Sequence, residues 1–120
     1  IGIIFNLDKH DKPGSHWVSM YADFDKLNEI NYFDSYGLKE PKEVTTFMNR
    51  LKEQSDGLGN KTNININNVR HQFKNSECGI YSIHFILKSL EGNTFDDLKN
   101  NIIKDDDMEI NREKLFIKYF

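Results

Sequence analysis

The chain has 120 residues, is 38% hydrophobic and 29% charged, and carries a formal net charge of -3. That length fits one domain with a modest core, and its scattered basic residues leave no nucleic-acid footprint. No apolar run is long enough to span a bilayer, and a single cysteine cannot close an internal disulfide, so an oxidising compartment is not implied.

The first residues, Ile1 to Leu7, form an apolar, β-rich run with no Met and no basic leader, which is not the pattern of a signal peptide. Such an abrupt strand is expected of a chain cut from a longer protein. A turn-rich loop follows over 8–15, with Pro13-Gly14 as its strongest signal. His16 to Ala22 reads as a second strand, 23–29 as a polar connection, and Ile30 to Asp34 as a third short strand ending at Ser35-Tyr36-Gly37. Short connections between the three predict an antiparallel or mixed meander.

Pro41 opens a helix whose Val44, Phe47, Met48 and Leu51 share one face. It stops in 55–60. Thr62, Ile64 and Ile66 alternate with Asn63, Asn65 and Asn67, the period of a half-buried strand. A polar loop, 68–75, holds Arg70, His71 and Gln72. Asn75-Ser76 offers N-caps for a second helix that carries Ile80, Ile83, Ile86, Leu87 and Leu90 and stops at Gly92. Apolar residues cover much of its circumference, which predicts a buried, central helix. Thr94 and Asp97 form a capping-box pattern for a third helix over 95–103, and Asp105-Asp106-Asp107 suits the N-terminus of a last one better than a metal site.

Cys78 falls in the first turn of the predicted central helix, where free N–H groups and the helix dipole favour a thiolate. Gly79 beside it leaves room near the sulfur. A buried structural cysteine is the competing reading at this point. A nucleophilic thiol needs a base within hydrogen-bond reach and a group that orients the base. Of the four histidines, His10 and His71 lie in polar loops. His84 lies six residues along the same helix, too far round to meet Cys78. His16 opens a strand beside Trp17, and Asp34 ends the next strand. Antiparallel pairing brings the start of the first beside the end of the second, so Asp34 meets His16. Gln72 lies six residues before Cys78, and its amide could assist an oxyanion with the Cys78 N–H. Taken singly, a turn-starting Asp34 and a polar loop Gln72 are unremarkable.

Ser15-His16-Trp17, Phe33-Asp34-Ser35 and Gln72 to Gly79, with five residues between Gln72 and Cys78, resemble in order and spacing the ubiquitin-like-protein (SUMO) proteases and adenovirus protease, clan CE. The flavour is similar to members from large DNA viruses. The resemblance implies one α+β catalytic domain over 1–120 of the papain-like cysteine proteinase superfamily. In it a small mixed or antiparallel sheet packs against a central helix bearing the Cys, with flanking helices. It further implies a cysteine peptidase that needs no cofactor and acts on a protein substrate, a polyprotein or a ubiquitin-like protein, after Gly-Gly or Gly-X. The implied roles are Cys78 nucleophile, His16 base, Asp34 orienter and Gln72 oxyanion donor, with Trp17 and Gly79 lining the substrate path. The expected setting is a reducing compartment, the cytoplasm or nucleus of a host cell or a virion. Family members usually carry helices and a substrate-gripping segment before the first strand here. The competing functions are an acyltransferase of the same clan and a non-catalytic or capsid-associated module keeping the fold. No His-Glu-x-x-His or Cys-x-x-Cys occurs, which argues against a metallopeptidase.

Overall fold

Strands that are apolar on both faces need a layer on each side. The computed structural model, which describes residues 1–7, 16–74 and 76–119, supplies both. The strands are β1 (Gly2–Asn6), β2 (Trp17–Asp23), β3 (Glu29–Phe33) and β4 (Asn63–Ile66). The helices are α1 (Lys42–Gly57), α2 (Cys78–Leu90), α3 (Phe95–Asn100) and α4 (Asp105–Tyr119). The sheet runs β1-β2-β3-β4; the first three strands are antiparallel, and β4 joins β3 in parallel after the α1 crossover. The expected mixed meander is therefore present. The predicted loop over 8–15 and the predicted N-cap Asn75 lie outside the described residues.

Alternation along the two central strands divides their side chains between two cores. Val18, Met20, Ala22, Ile30 and Tyr32 pack with Val44 and Met48 of α1. Phe33 packs on the opposite face with Tyr81 and Phe85 of α2, Phe95 of α3 and Met108 of α4. Phe33 and Phe85 stack at 4.8 Å between ring centroids. Such aromatic pairs add about 1 kcal/mol beyond their buried area. This double burial is why β2 shows imperfect alternation in sequence.

Helix α2 lies over β2, as a central helix should. The residues it buries are Cys78, Tyr81, Ser82 and Phe85, however, and not the isoleucine and leucine positions. Leu90 is exposed. The Ile and Leu side chains are broad enough to suggest burial all round, while one narrow stripe at i, i+3, i+4, i+7 makes the sheet contact. Its N-cap is Glu77, so Cys78 is its first helical residue. Helix α3 begins as expected, with Thr94 Oγ1 accepting from Asp97 N at 3.2 Å, but ends at Asn100 and not at 103.

Two loops meet at the C-terminal end of β3, and their fit depends on Gly37. It has φ +70, and a Cβ there would lie 2.9 Å from both Arg70 N and Val69 C. An L-residue would carry the left-handed penalty of about 1–2 kcal/mol in addition to that backbone clash. Gly37→Ala is expected to lower stability by at least about 2 kcal/mol, read as a fall in Tm; an unchanged Tm would mean that the 67–72 segment moves aside freely.

Candidate active site

The site forms where three element ends converge. His16 immediately precedes β2, Asp34 immediately follows β3, and Cys78 begins α2. Antiparallel pairing of β2 with β3 sets the first two side by side. The packing of α2 on β2 brings up the third, with Trp17 N–H donating to Cys78 Sγ at 3.4 Å.

The His16 ring joins the acid to the thiol. Its Nε2 lies 3.0 Å from each oxygen of the Asp34 carboxylate, which is almost wholly buried. An ionised carboxylate only accepts, so Nε2 carries the proton. The neighbouring Cys78 thiol also acts on this ring, favouring its protonated form. With Nε2 held by Asp34, the nitrogen that remains for the sulfur is Nδ1. The hydrogen bond to Asp34, then that to Cys78, raise the His16 pKa to about 9 against the opposing effect of burial. For Cys78, burial pushes the pKa up, but the His16 hydrogen bond, the Trp17 and Gly79 N–H groups and the imidazolium charge outweigh it and leave it below the ordinary value. Both shifts favour a thiolate–imidazolium pair.

A second layer holds this pair. Tyr36 N donates to Asp34 Oδ1 at 2.8 Å, and the Tyr36 ring lies on the His16 ring with centroids 4.9 Å apart. Asn67 is fully buried; its Nδ2 donates to Asp34 O at 2.7 Å and its Oδ1 accepts from Val69 N at 2.8 Å. Ser35 O accepts from His71 N and Gln72 N at 2.7 and 2.9 Å, and Ser35 Oγ donates to Gln72 Oε1 at 2.6 Å. Gln72 is thus bound to the turn that carries Asp34, while its Nε2 is buried and has no hydrogen-bond partner among the described residues. A buried, unpaired amide donor is costly unless something occupies its direction during function.

The remaining predicted residues are also close by. Trp17 flanks the thiol through its backbone, and its Cδ1 would lie 3.9 Å from a Cβ built on Gly79, the one contact within 4 Å among the described residues beyond its own helix and neighbours. The described residues therefore do not require glycine at 79. His84 is half-buried on α2, away from the thiol's hydrogen bonds. His71, expected in a polar loop, is buried instead; its Nε2 lies 2.9 Å from Lys99 O, and burial lowers its pKa. The acidic triplet does begin α4, yet Asp105 is buried and accepts from the Phe73 and Lys74 N–H groups at 3.0 and 3.1 Å, securing the segment just after Gln72. In sequence Tyr36, Asn67 and Asp105 read only as turn, strand and helix-start residues and not as parts of a site. Only the Asp34-Ser35-Tyr36-Gly37 turn gave a local signal for any of them.

This assembly can ionise a thiol, hold the proton on an adjacent imidazole and offer N–H groups to a developing oxyanion, the requirements of acyl transfer through a thioester. The family model "Ulp1 protease family, C-terminal catalytic domain" matches residues 1–119. Cysteine protease S273R of African swine fever virus is 32% identical over 117 residues, covering 96% of this chain and 43% of the relative. R355 of Acanthamoeba polyphaga mimivirus, which bears a thiol-protease name, is 34% identical over 102 residues, covering 84% of this chain and 33% of the relative. The crystal structure of the ASFV pS273R protease aligns with a TM-score of 0.78 and 31% identity, over 89% of this chain and 39% of that one. The α+β architecture is that of this viral protease, and the chain spans less than half the length of the relatives it matches. With the family model matched along all but the last residue, this chain belongs to the Ulp1 protease family.

Proposed function

We propose that the chain carries the catalytic centre of a cysteine endopeptidase or isopeptidase that cleaves after small residues, Gly-Gly or Gly-X, in a polyprotein or ubiquitin-like protein. The observation that carries this reading is the His16 ring bound to the Asp34 carboxylate next to Trp17, whose N–H donates to the Cys78 thiol. Cys78 passes its proton to His16 Nδ1, and the thiolate attacks the scissile carbonyl carbon. The oxyanion is taken by the Gln72 Nε2–H and by the Cys78 N–H at the positive end of α2. The C–N bond breaks as His16 returns the proton to the leaving amine. Water then attacks the thioester, His16 accepts its proton, and the acid product leaves with the thiol restored.

Asp34 is the orienting group in this scheme. Its carboxylate keeps the Nε2–H tautomer and so leaves Nδ1 to work on the sulfur. Trp17 and Gly79 line the approach, with the absent Cβ leaving space for substrate backbone. A reducing compartment keeps Cys78 as a thiol. The relative's name "SUMO-1 cysteine protease S273R" supports a ubiquitin-like substrate class for this chain.

The test is hydrolysis of a peptide ending in Gly-Gly-aminomethylcoumarin. Cys78→Ser is expected to abolish turnover, and Gln72→Ala to lower kcat by about 10²–10³ while leaving iodoacetamide alkylation of Cys78 unchanged, since alkylation forms no oxyanion. Turnover that persists in Cys78→Ser would end the proposal. Acylation by an acyl-CoA with no peptide hydrolysis would instead identify the acyltransferase chemistry of the same clan.

A further inference from the structure

We propose that Ser35 is a positioning residue whose hydroxyl fixes the orientation of the Gln72 amide, so that Nε2 and not Oε1 faces the oxyanion; this rests on the peptidase reading above. An amide has a donor end and an acceptor end of nearly equal size, and only one orientation helps catalysis. With Oε1 turned toward the developing oxyanion, Gln72 would repel the charge that it is required to stabilise. Something must therefore choose between the two orientations.

The choice is made on the side of the amide away from the reaction. Ser35 and Gln72 are both buried, at 2% and 0% exposure, so no bulk water competes for their polar atoms. The hydroxyl donates to Oε1 at 2.6 Å. Turning the amide over would point Nε2–H at Ser35 Oγ. That contact is itself feasible, but the hydroxyl proton would lose its acceptor. Ser35 O is already occupied by the His71 and Gln72 N–H groups. The cost of an unpaired buried hydroxyl then falls on the inverted state alone. In the observed state the donor of this pair left unpaired among the described residues is Nε2, the end of the amide turned away from Ser35 and left for an oxyanion to pair. The same residue follows Asp34 directly, so a single turn sets both the acid that orients His16 and the amide that receives the oxyanion.

Ser35→Ala should fold, because the two backbone hydrogen bonds to Ser35 O do not involve the hydroxyl. The alanine leaves Oε1 without its donor and allows both amide orientations. On the Gly-Gly-aminomethylcoumarin peptide, kcat is expected to fall about tenfold to a hundredfold, within the loss expected for removing the amide, with KM nearly unchanged. The pH profile of Cys78 alkylation by iodoacetamide should not move, because the thiol and His16 are untouched. Ser35→Ala combined with Gln72→Ala should be no worse than Gln72→Ala alone, and Ser35→Thr, which keeps the hydroxyl, should recover most of kcat. Additive losses in the double variant, or an alkylation profile that shifts with kcat, would overturn the proposal, as would an unchanged kcat. If the wild type does not cleave the peptide, the peptidase reading has failed. The orientation claim is then decided by the Gln72 side-chain NH₂ signals in ¹⁵N-labelled protein. One sharp pair in the wild type that broadens or doubles in Ser35→Ala supports it, and a pair that stays single and sharp in both overturns it.

Discussion

His16→Ala is expected to raise the pH at which Cys78 reacts with iodoacetamide, from below the ordinary thiol range to that range or above it. In the intact site, burial alone disfavours the thiolate, and the His16 hydrogen bond and charge are the main forces that reverse it. Removing the ring leaves burial opposed only by the Trp17 and Gly79 N–H groups. The variant should then hold at most a few per cent thiolate at pH 7. Turnover should fall further than alkylation, by about 10⁴-fold, because the same ring also protonates the leaving amine. The linkage has a definite sign. Since the folded state raises the His16 pKa from 6.5 to about 9, that group's contribution to stability is complete below pH 6.5 and is lost as pH rises through about 9. Thermal melts between those limits should show an alkaline decline that is weaker in His16→Ala. An alkylation profile identical to wild type would remove His16 as the base.

Part of this site is legible in the sequence because it is built from element ends. A strand that starts with His16 and a neighbouring strand that ends at Asp34 must bring those residues together once the hairpin pairs. A Cys beside Gly at a helix start reads as an activated thiol for equally local reasons. The supporting residues have no such signature. Asn67 reads as the polar half of an alternating strand, yet it is fully buried because Asp34 O and Val69 N use both ends of its amide. Asp105 reads as favourable charge at a helix N-terminus, a role satisfied equally by Asp106 and Asp107, and nothing in its spacing reveals the Phe73 and Lys74 amides that it binds. His71 reads as a loop residue because its neighbours are polar, while its ring meets Phe33 at 5.1 Å and the Lys99 carbonyl. The buried stripe of α2 was likewise hidden. Tyr81 and Phe85 face the sheet while the more numerous Ile and Leu positions lie at its margins. Chemistry placed by local topology leaves a pattern in sequence; positioning done by long-range polar contacts does not.

Asp34→Ala should cost nearly as much turnover as His16→Ala while leaving His16 in place. The carboxylate does three things in the present geometry. It accepts the Nε2 proton through two oxygens at 3.0 Å, it accepts Tyr36 N–H through Oδ1, and its charge favours the imidazolium. Alanine removes all three, and the ring is then free to rotate and to carry its proton on Nδ1, where it cannot take one from the thiol. Misplacing the tautomer in a catalytic triad costs about 10⁴ in kcat when the acid becomes an amide, and a similar loss is expected here. Asp34→Asn tests the tautomer directly. Its oxygen still accepts from Tyr36 N–H, but its NH₂ group takes the place of the second oxygen, 3.0 Å from His16 Nε2. A donor there drives the ring proton to Nδ1, and the hydrogen bond that contributes most to the raised His16 pKa is lost with the charge. The asparagine variant should therefore shift the Cys78 alkylation profile at least as far as the alanine variant does. If Asp34→Asn instead keeps a profile close to wild type while Asp34→Ala does not, an acceptor oxygen is enough and the tautomer argument fails. If neither shifts it, the thiolate is made by His16 and the helix start alone, and Asp34 serves only the turn that it begins.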